Sequence, residues 1–403
     1  MVSLDVRTRV DADIRPIDAV SFFGDELPAL IVERAGLAAP GAAELDLQPF
    51  TVATPAGTWT LARDDGGFTV TPDDIGAARV QLDSEQLADI VNDLSTPMTL
   101  VTSGRLRMDR GDLGDFLDWW VVLRSLIDGR PAHTAGSVEF RDPDGAPLDL
   151  HRTFSPDDDD EEMAHFLAEA GFLHVGGLFD ADEMRAVARD IDAAFAHYEP
   201  DDGHSWWART ATGEHRAVRL QGFERYSPTT AAVLEDERLL RLGRLTGDEY
   251  EPPESIEALE KPIGVVEGIS DLPWHKDCSL GRHSYRCCSL TVGVSVTDAD
   301  ASSGQLAVVA GSHRALVQPA FVRSVWGLPV VDLPTRAGDI TVHCSCTLHM
   351  SHAPVTRERR VMYTGFRLSD PEGRAVAGED EIRRVREQSY KTVSQKPGHI
   401  SAS

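Results

Sequence analysis

Residues 271–283 read DLPWHKDCSLGRH and bring His275, Asp277, Cys278 and His283 within thirteen positions. On an extended segment residues i and i+2 point to the same side, so the H-x-D spacing brings the imidazole of His275 and the carboxylate of Asp277 to one point. Two neutral imidazoles and one carboxylate on one face of a metal leave three positions open for small molecules. The pair alone is a weak indication, because a polar turn before a strand has a similar composition.

A third metal ligand has to come from another segment. Residues 338–366 read GDITVHCSCTLHMSHAPVTRERRVMYTGF and contain the candidates His343, His349 and His352. In a double-stranded β-helix a second histidine lies on a late strand that faces the first pair, and an arginine follows one strand later. The planar guanidinium group of arginine binds a carboxylate through two parallel hydrogen bonds, which an ammonium group cannot do.

Short apolar segments alternate with Gly, Pro, Ser and Asp turns from about residue 261 to residue 368. The segments are SLTVGVSV, GQLAVVAGSH, PVVDLP, GDITVHCS and RVMYTGFRL. Short strands in series, separated by turn residues, predict an antiparallel sandwich or barrel.

Two helices are predicted upstream of these strands. Ser155 is followed by Pro156 and a block of acidic residues, which predicts a helix start there and a helix that runs to about Ala170. Asp180, with Glu183 three residues later, predicts a capping box at the start of the next helix.

The charge balance excludes several classes of partner. The 403 residues include 39 basic and 66 acidic side chains, a formal net charge of −27. Such a charge repels phosphate backbones and anionic membrane surfaces, so we expect neither nucleic acid nor a membrane as a partner. Residues 1–16 lack the apolar core of a signal peptide, and no apolar run is long enough to span a bilayer, so a cytoplasmic location is expected.

The five cysteines fall between Cys278 and Cys346, at positions 278, 287, 288, 344 and 346. Their odd number in a reducing compartment argues against a disulfide framework. A zinc site built from these thiols and nearby histidines remains an alternative. The C-x-C and C-C spacings suit tetrahedral closure poorly, and no C-x-x-C pair is present.

Four stretches resemble the phytanoyl-CoA dioxygenase (PhyH) family of Fe(II)/2-oxoglutarate oxygenases, and together they span about residues 163–368. They are FLAEAGFLHVGGLFDADEMRAV, KPIGVVEGISDLPWHKD, SSGQLAVVAGSHR and LHMSHAPVTRERRVMY. The resemblance implies a jelly-roll (cupin-like double-stranded β-helix) oxygenase domain with flanking helices. The chain departs from the family at Ala310, where a proline is usual, at Gly293, where an aromatic residue is common, and at the HCSC run.

The resemblance assigns roles to six residues. It gives the metal-ligand positions to His275, Asp277 and His349, and the 2-oxoglutarate arginine to Arg360, eleven residues after His349. A serine and a lysine near the co-substrate complete the set, Ser351 and Lys261.

Other histidines and a second arginine near these positions are expected to have different roles. His349 is preferred to His352, because only His349 places both the serine and the arginine at the family spacing. His343 and His313 are expected to surround the site or lie in turns. Arg359 should face opposite to Arg360 on a regular strand.

The implied reaction uses Fe(II), O2 and 2-oxoglutarate and releases succinate and CO2. In related halogenases a small residue replaces the carboxylate, whereas Asp277 keeps that position filled, so hydroxylation of an unactivated C–H bond is expected. The expected partner is a small-molecule substrate, natural-product or lipid-like. Desaturation and cyclisation stay open as reaction types, and a homodimer is compatible with the sequence.

Residues 1–130 are typical of an α+β unit. TWTLARDDGGFTVTP predicts a hairpin that turns at Asp65-Gly66. Ser84 is the expected N-cap of the helix that follows.

The stretch ARVQLDSEQLADIVNDLSTPMTLVTSGRLRMDRGDLGDFLDWW resembles the sterol-carrier-protein-2 (SCP2)-like domains, in which a closing helix and a sheet enclose an apolar groove for lipid-like ligands. The Trp119/Trp120 pair either lines such a groove or belongs to the core. A binding protein with an inactive oxygenase domain is therefore a second alternative. The expected divisions are an SCP2-like domain at 1–130, a linker and helix start at 131–162, the oxygenase domain at 163–370, and a helix and tail at 371–403.

Overall fold

The computed structural model describes residues 7–369 except 9, 46, 65–66, 201, 269–271 and 281–287, and in addition residues 373, 378, 380 and 384. His283, Cys287 and the Asp65-Gly66 turn lie outside the described residues, as does most of the helix expected near residues 378–390.

The N-terminal module consists of five helices and five strands in the described part of residues 10–130. The elements are α1 (Ala19–Ser21), α2 (Leu27–Ala42), β1 (Phe50–Thr54), β2 (Gly57–Asp64), β3 (Gly67–Thr71), β4 (Ala78–Gln81), α3 (Ser84–Val91), α4 (Pro97–Thr102), β5 (Arg107–Arg110) and α5 (Leu113–Asp128). A π-helical segment, Phe22–Glu26, joins α1 to α2. The strand order is β3-β2-β1-β4-β5, and β1 and β4 form the parallel pair.

Local side chains set the helix ends of this module. Asp83, not the predicted Ser84, caps α3, because its carboxylate accepts the Gln86 N–H while the Gln86 side chain accepts the Asp83 N–H. Helix α5 is capped by Asp112 and ends at Gly129, whose φ of 64° suits glycine. Trp119 and Trp120 on α5 are 2% and 0% exposed and belong to the core of the module.

The second half of the chain carries the remaining elements in the described part. They are α6 (Asp160–Ala170), β6 (Phe172–Val175), α7 (Ala181–Ala194), β7 (Ser205–Thr210), β8 (His215–Leu220), α8 (Pro228–Leu234), α9 (Glu237–Gly243), β9 (Tyr250–Glu251), β10 (Glu257–Lys261), β11 (Val265–Glu267), β12 (Leu272–His275), β13 (Ser289–Ser295), β14 (Leu306–Val309), β15 (Val330–Leu333), β16 (Ile340–Cys344), β17 (His349–Ser351) and β18 (Arg359–Leu368). A 3-10 helix, Asp277–Leu280, follows β12.

Two antiparallel sheets form the jelly roll in the described part of the chain. The large sheet has the order β11-β7-β8-β10-β18-β13-β16-β6, with β9 added beside β18, and the small sheet has the order β12-β17-β14-β15. One apolar core draws on both sheets and on α6 and α7. The α+β class with a jelly-roll domain is thus the architecture that the sequence predicted, preceded by the smaller α+β module.

The starts of α6 and α7 show how acidic residues cap helices here. Helix α6 begins at Asp160 with Asp159 as N-cap, so the predicted start at Ser155 is wrong. Residues 155–158 instead close a turn in which the Asp158 carboxylate accepts the Ser155 N–H at 2.9 Å. The capping box of Asp180 and Glu183 is confirmed at α7.

Among the described residues, no helix combines the length and the apolar character that crossing a bilayer requires.

Candidate metal and carboxylate site

Three side chains from two neighbouring strands and one short helix converge between the sheets. His275 ends β12 and is paired in register with His349, the first residue of β17, and Asp277 opens the 3-10 helix. The Oδ1 atom of Asp277 lies 3.6 Å from Nε2 of His275 and 3.7 Å from Nε2 of His349. One ligand atom from each residue lies within 4.8 Å of the others, so the structure brings together the three predicted metal ligands.

Backbone carbonyl groups orient the two imidazoles. Nδ1 of His275 lies 2.7 Å from the carbonyl oxygen of Pro273, and Nδ1 of His349 lies 2.9 Å from that of Thr347. A carbonyl oxygen can only accept, so each Nδ1 carries a proton, and in the neutral form of each ring the Nε2 lone pair points toward Asp277. Two neutral imidazoles and a carboxylate form the donor set that Fe(II) takes in open non-haem sites.

The other carboxylate oxygen of Asp277 is held by the large sheet. The hydroxyl of Thr291 donates to Oδ2 at 2.7 Å, and Nε2 of His343 lies 3.5 Å from the same atom. His343 faces Thr291 across β13 and β16, is 1% exposed, and its ring centroid lies 4.1 Å from that of His349. Oδ1 is thereby left to point at the two ligand imidazoles.

His343 was expected to surround the site or lie in a turn, and it lies beside Asp277 and His349. Neither of its ring nitrogens has a hydrogen-bond partner within the described structure. What the sequence did not give is its contact with Asp277, which depends on its position on β16. Thr341 and His343 share one face of β16, and a histidine in a buried strand needs a polar neighbour.

The charges of the site match those of a cation-binding centre. Burial raises the pKa of Asp277, but His349, His275 and His343 outweigh it and hold the pKa of this carboxyl well below its usual value. Burial, followed by the neighbouring His343 and His275, lowers the pKa of His349 well below its usual value. The site therefore offers an ionised carboxylate and a neutral imidazole, the protonation states that metal binding requires.

A second polar cluster surrounds Ser351, which lies two residues after the metal ligand His349 on β17. Lys261 donates to the hydroxyl of Ser351 at 2.7 Å and to the carbonyl oxygen of His352 at 2.5 Å. Arg359 donates to the carbonyl oxygen of Gly304 at 2.9 Å and reaches the Ser351 hydroxyl at 3.4 Å. The two cations are 7% and 2% exposed, and Nε of Arg359 has no partner in the described structure.

The predicted position of Arg360 is wrong. Arg360 turns to the outer side of the large sheet, where its guanidinium group lies 2.9 Å from Glu260 and 2.7 Å from Asp192. The neighbouring residue Arg359 points inward to Ser351 instead. The prediction that the two arginines face opposite sides is confirmed. Arg359, however, takes the inner side that was expected for Arg360.

The alternative metal ligands that the sequence offered, His352 and the cysteines, do not join the three ligands described above. His352 is set apart from the metal ligands, with Nε2 3.6 Å from Asp332 and an exposed side chain. Cys278, Cys288, Cys344 and Cys346 are buried. Within the described residues, the group that could hold a metal ion contains no cysteine.

One family model matches the part of the chain that carries this site. Residues 167–362 match the model of the phytanoyl-CoA dioxygenase (PhyH) family. No protein with curated function matches the chain.

Several solved structures resemble about half of the chain. The non-heme alpha ketoglutarate dependent epimerase SnoN from nogalamycin biosynthesis has 21% identity and a TM-score of 0.41, over 52% of this chain and 82% of SnoN. AviO1 from Streptomyces viridochromogenes has 19% identity and a TM-score of 0.43, over 54% and 98% of the two chains. HygX from Streptomyces hygroscopicus, solved with nickel and 2-oxoglutarate, has 19% identity and a TM-score of 0.40, over 51% and 86%.

Proposed function

From the match of residues 167–362 to the phytanoyl-CoA dioxygenase family model, we propose that the protein is an Fe(II)- and 2-oxoglutarate-dependent dioxygenase that hydroxylates an unactivated C–H bond of a small organic substrate. The observation that carries the proposal is the convergence of two clusters. Two imidazoles and a carboxylate form one, and two buried cations around a serine hydroxyl form the other.

The spacing of the two clusters suits a short dicarboxylate. His349 and Ser351 are two residues apart on β17, so their side chains point to the same side about 7 Å apart. His275, Asp277 and His349 hold the metal at one end of this span. Ser351, Lys261 and Arg359 bind the far carboxylate of 2-oxoglutarate at the other, with Arg359 in the role that the sequence assigned to Arg360.

Each residue has a defined task in this scheme. When bound, Fe(II) supplies oxygen activation coupled to decarboxylation of 2-oxoglutarate, which yields succinate and CO2. Asp277 fills the carboxylate position, which supports hydroxylation as the outcome. The substrate is a natural product or a lipid-like molecule, and the oxygenase domain spans residues 163–370.

An anaerobic binding experiment tests the proposal. Fe(II) and 2-oxoglutarate are added to the metal-free protein, and the visible charge-transfer band of the chelate is recorded. We expect the band in wild type and in His352→Ala, the matched control, and its loss in His275→Ala and His349→Ala. A band that survives in His275→Ala would contradict the site.

Turnover and metal content separate the alternatives. With Fe(II), 2-oxoglutarate and O2 the wild type should form succinate, even in the slow reaction without substrate. Stoichiometric zinc that is retained, with no succinate after iron is supplied, would favour a zinc protein. Absence of both metal binding and succinate would favour a binding protein with an inactive domain.

A further inference from the structure

The N-terminal module makes direct contact with the 3-10 helix that carries Asp277. The hydroxyls of Thr96 and Thr99, at the start of α4, each donate to the carbonyl oxygen of Ser279 at 2.7 Å. Ser279 lies two residues after Asp277 in the helix Asp277–Leu280. Both threonines are at most 1% exposed, so water does not compete for this carbonyl oxygen.

The capping of α4 leaves both hydroxyl protons available for this contact. The Thr96 hydroxyl oxygen accepts the N–H groups of Met98 and Thr99, and the Thr99 hydroxyl oxygen accepts the N–H of Thr96. These capping bonds use lone pairs only, so each hydroxyl keeps its proton to donate to Ser279. A carbonyl oxygen has two lone pairs, and the two threonines occupy both.

The jelly roll holds the same helix from its other side. The N–H of Cys278 donates to the carbonyl oxygen of Ser345 at 3.1 Å, in the turn between β16 and β17. Asp277 therefore precedes a peptide segment that is fixed at Cys278 by the barrel and at Ser279 by the N-terminal module. With both anchors in place, the backbone that sets the direction of the Asp277 carboxylate cannot rotate freely.

Further contacts keep α4 in place relative to the barrel. Arg323 forms a 2.5 Å ion pair with Asp118 of α5. A ring nitrogen of His133 lies 2.8 Å from the carbonyl oxygen of Trp326, and Leu316 packs into the core of the N-terminal module. The module is thus docked against the barrel over several segments, and α4 is its point of contact with the metal-site helix.

We propose that Thr96 and Thr99 are positioning residues for the metal site, and that the N-terminal module completes this site by fixing the Asp277 helix. The inference rests on the proposed role of Asp277 as a metal ligand. It gives the module a task in the oxygenase itself, which does not depend on carrying a lipid-like ligand.

Co(II) binding to the metal-free, full-length protein tests the inference without reference to turnover. Co(II) is titrated and its visible absorption gives the affinity. In Thr96→Val/Thr99→Val we expect affinity to fall about 10-fold, the usual effect of losing an outer-sphere contact. Thr96→Ser/Thr99→Ser retains both hydroxyls, so its Co(II) affinity should lie within about twofold of that of wild type, as expected for retained contacts.

A matched control separates the contact from helix stability. The Thr102 hydroxyl on the same helix donates to the Met98 carbonyl oxygen and does not reach Ser279. Thr102→Val should therefore leave Co(II) affinity unchanged. Circular dichroism establishes that each variant is folded at the titration temperature. If the double Val variant does not fold, Thr99→Val alone, which keeps the Thr96 cap, is expected to show a smaller loss of affinity in the same direction.

The outcomes are distinct. Co(II) affinity of a folded Val variant equal to that of wild type would overturn the inference and leave the proposed function standing. Restored affinity in the Ser variant would support it. Absence of Co(II) binding by the wild type would overturn the proposed function, and the inference with it.

Discussion

Lys261 and Arg359 lie directly opposite each other on β10 and β18, and both side chains reach the hydroxyl of Ser351. Burial of a cation is costly unless a partner compensates it. The carbonyl oxygen of Gly304 satisfies part of this need for Arg359, whose Nε has no hydrogen-bond partner in the described structure. An anion of the size of a carboxylate would complete the arrangement.

We predict that Arg359→Ala weakens 2-oxoglutarate binding. A hydrogen bond to a charged group contributes about 1.5–3 kcal/mol, which corresponds to a loss of about 10- to 100-fold in affinity. Arg359→Lys keeps the charge but cannot form two parallel hydrogen bonds to a carboxylate, so its 2-oxoglutarate affinity should lie between those of wild type and Arg359→Ala. Titration of 2-oxoglutarate into the anaerobic Fe(II) protein, followed at the charge-transfer band, measures the effect.

Arg360→Ala is the matched control for this prediction. Arg360 lies next in sequence but on the outer face, where Glu260 keeps a second partner, Arg216, at 2.9 Å. We therefore expect the 2-oxoglutarate affinity to stay within about twofold of wild type, because a remote ion pair with a compensated partner contributes little. The reverse pattern, a loss in Arg360→Ala and none in Arg359→Ala, would refute the assignment.

The exchange of these two arginines shows what the sequence could and could not determine. Strand alternation predicted that Arg359 and Arg360 face opposite sides, and this is correct. The choice of side depends on neighbours in space: Glu260 draws Arg360 outward, whereas Ser351 lies on the inner side of Arg359. Two adjacent arginines have identical local patterns, so periodicity cannot distinguish them.

The metal ligands were easier to predict than their support. His275 and Asp277 are separated by one residue, and so short a spacing keeps the two side chains close even though Asp277 begins a 3-10 helix instead of continuing the strand. The contact of Thr96 with Ser279 joins residues 183 positions apart through a single hydroxyl, for which no periodic pattern exists. The predicted N-cap of α3 was wrong for a related reason. Both Asp83 and Ser84 can cap a helix, and only the folded backbone determines that Asp83 does so.

We predict that metal binding stabilises the folded protein through His275 and His349. These ligands come from segments that are distant in sequence, so a bound ion links β12 to β17. At a Co(II) concentration 100 times the dissociation constant, the free energy of unfolding should rise by about 2.7 kcal/mol. Thermal or urea unfolding with and without Co(II) measures the gain, which chelator should reverse. His349→Ala should show no gain, whereas a gain that His352→Ala abolishes would assign the ligand to His352.

We predict that His343→Phe lowers metal affinity about 10-fold, as expected for loss of a contact that orients a ligand. The phenyl ring still packs against His349 but has no nitrogen near Oδ2 of Asp277. Co(II) titration of the metal-free protein measures the effect.

Thr291→Val removes the other contact to the same carboxylate oxygen and serves as the comparison. Because both residues act on Oδ2, the double variant should lose less than the sum of the single losses in free energy. Wild-type affinity in His343→Phe would mean that His343 only fills space.

We predict a pH-dependent loss of stability from Asp118, the partner of Arg323 at the junction of module and barrel. Burial raises the pKa of Asp118 to about 6, although Arg323 opposes the shift, and Oδ1 has no hydrogen-bond partner in the described structure. In the unfolded chain the same carboxyl titrates near pH ~3.9. Between about pH 4 and 6 the folded state therefore binds more protons than the unfolded state, and stability falls as the pH rises through this window.

Asp118→Asn isolates this effect, because the amide keeps the shape of the side chain and does not ionise. The free energy of unfolding in urea, measured for both proteins at pH 4.5, 5.5, 6.5 and 7.5, gives the difference that Asp118 makes. Relative to Asp118→Asn, the wild type should lose about 2 kcal/mol between the lowest and the highest pH, with most of the loss below pH 6.5. A wild type that instead gains stability over Asp118→Asn as the pH rises would mean that the ion pair with Arg323 outweighs burial, and that Asp118 is ionised throughout the window.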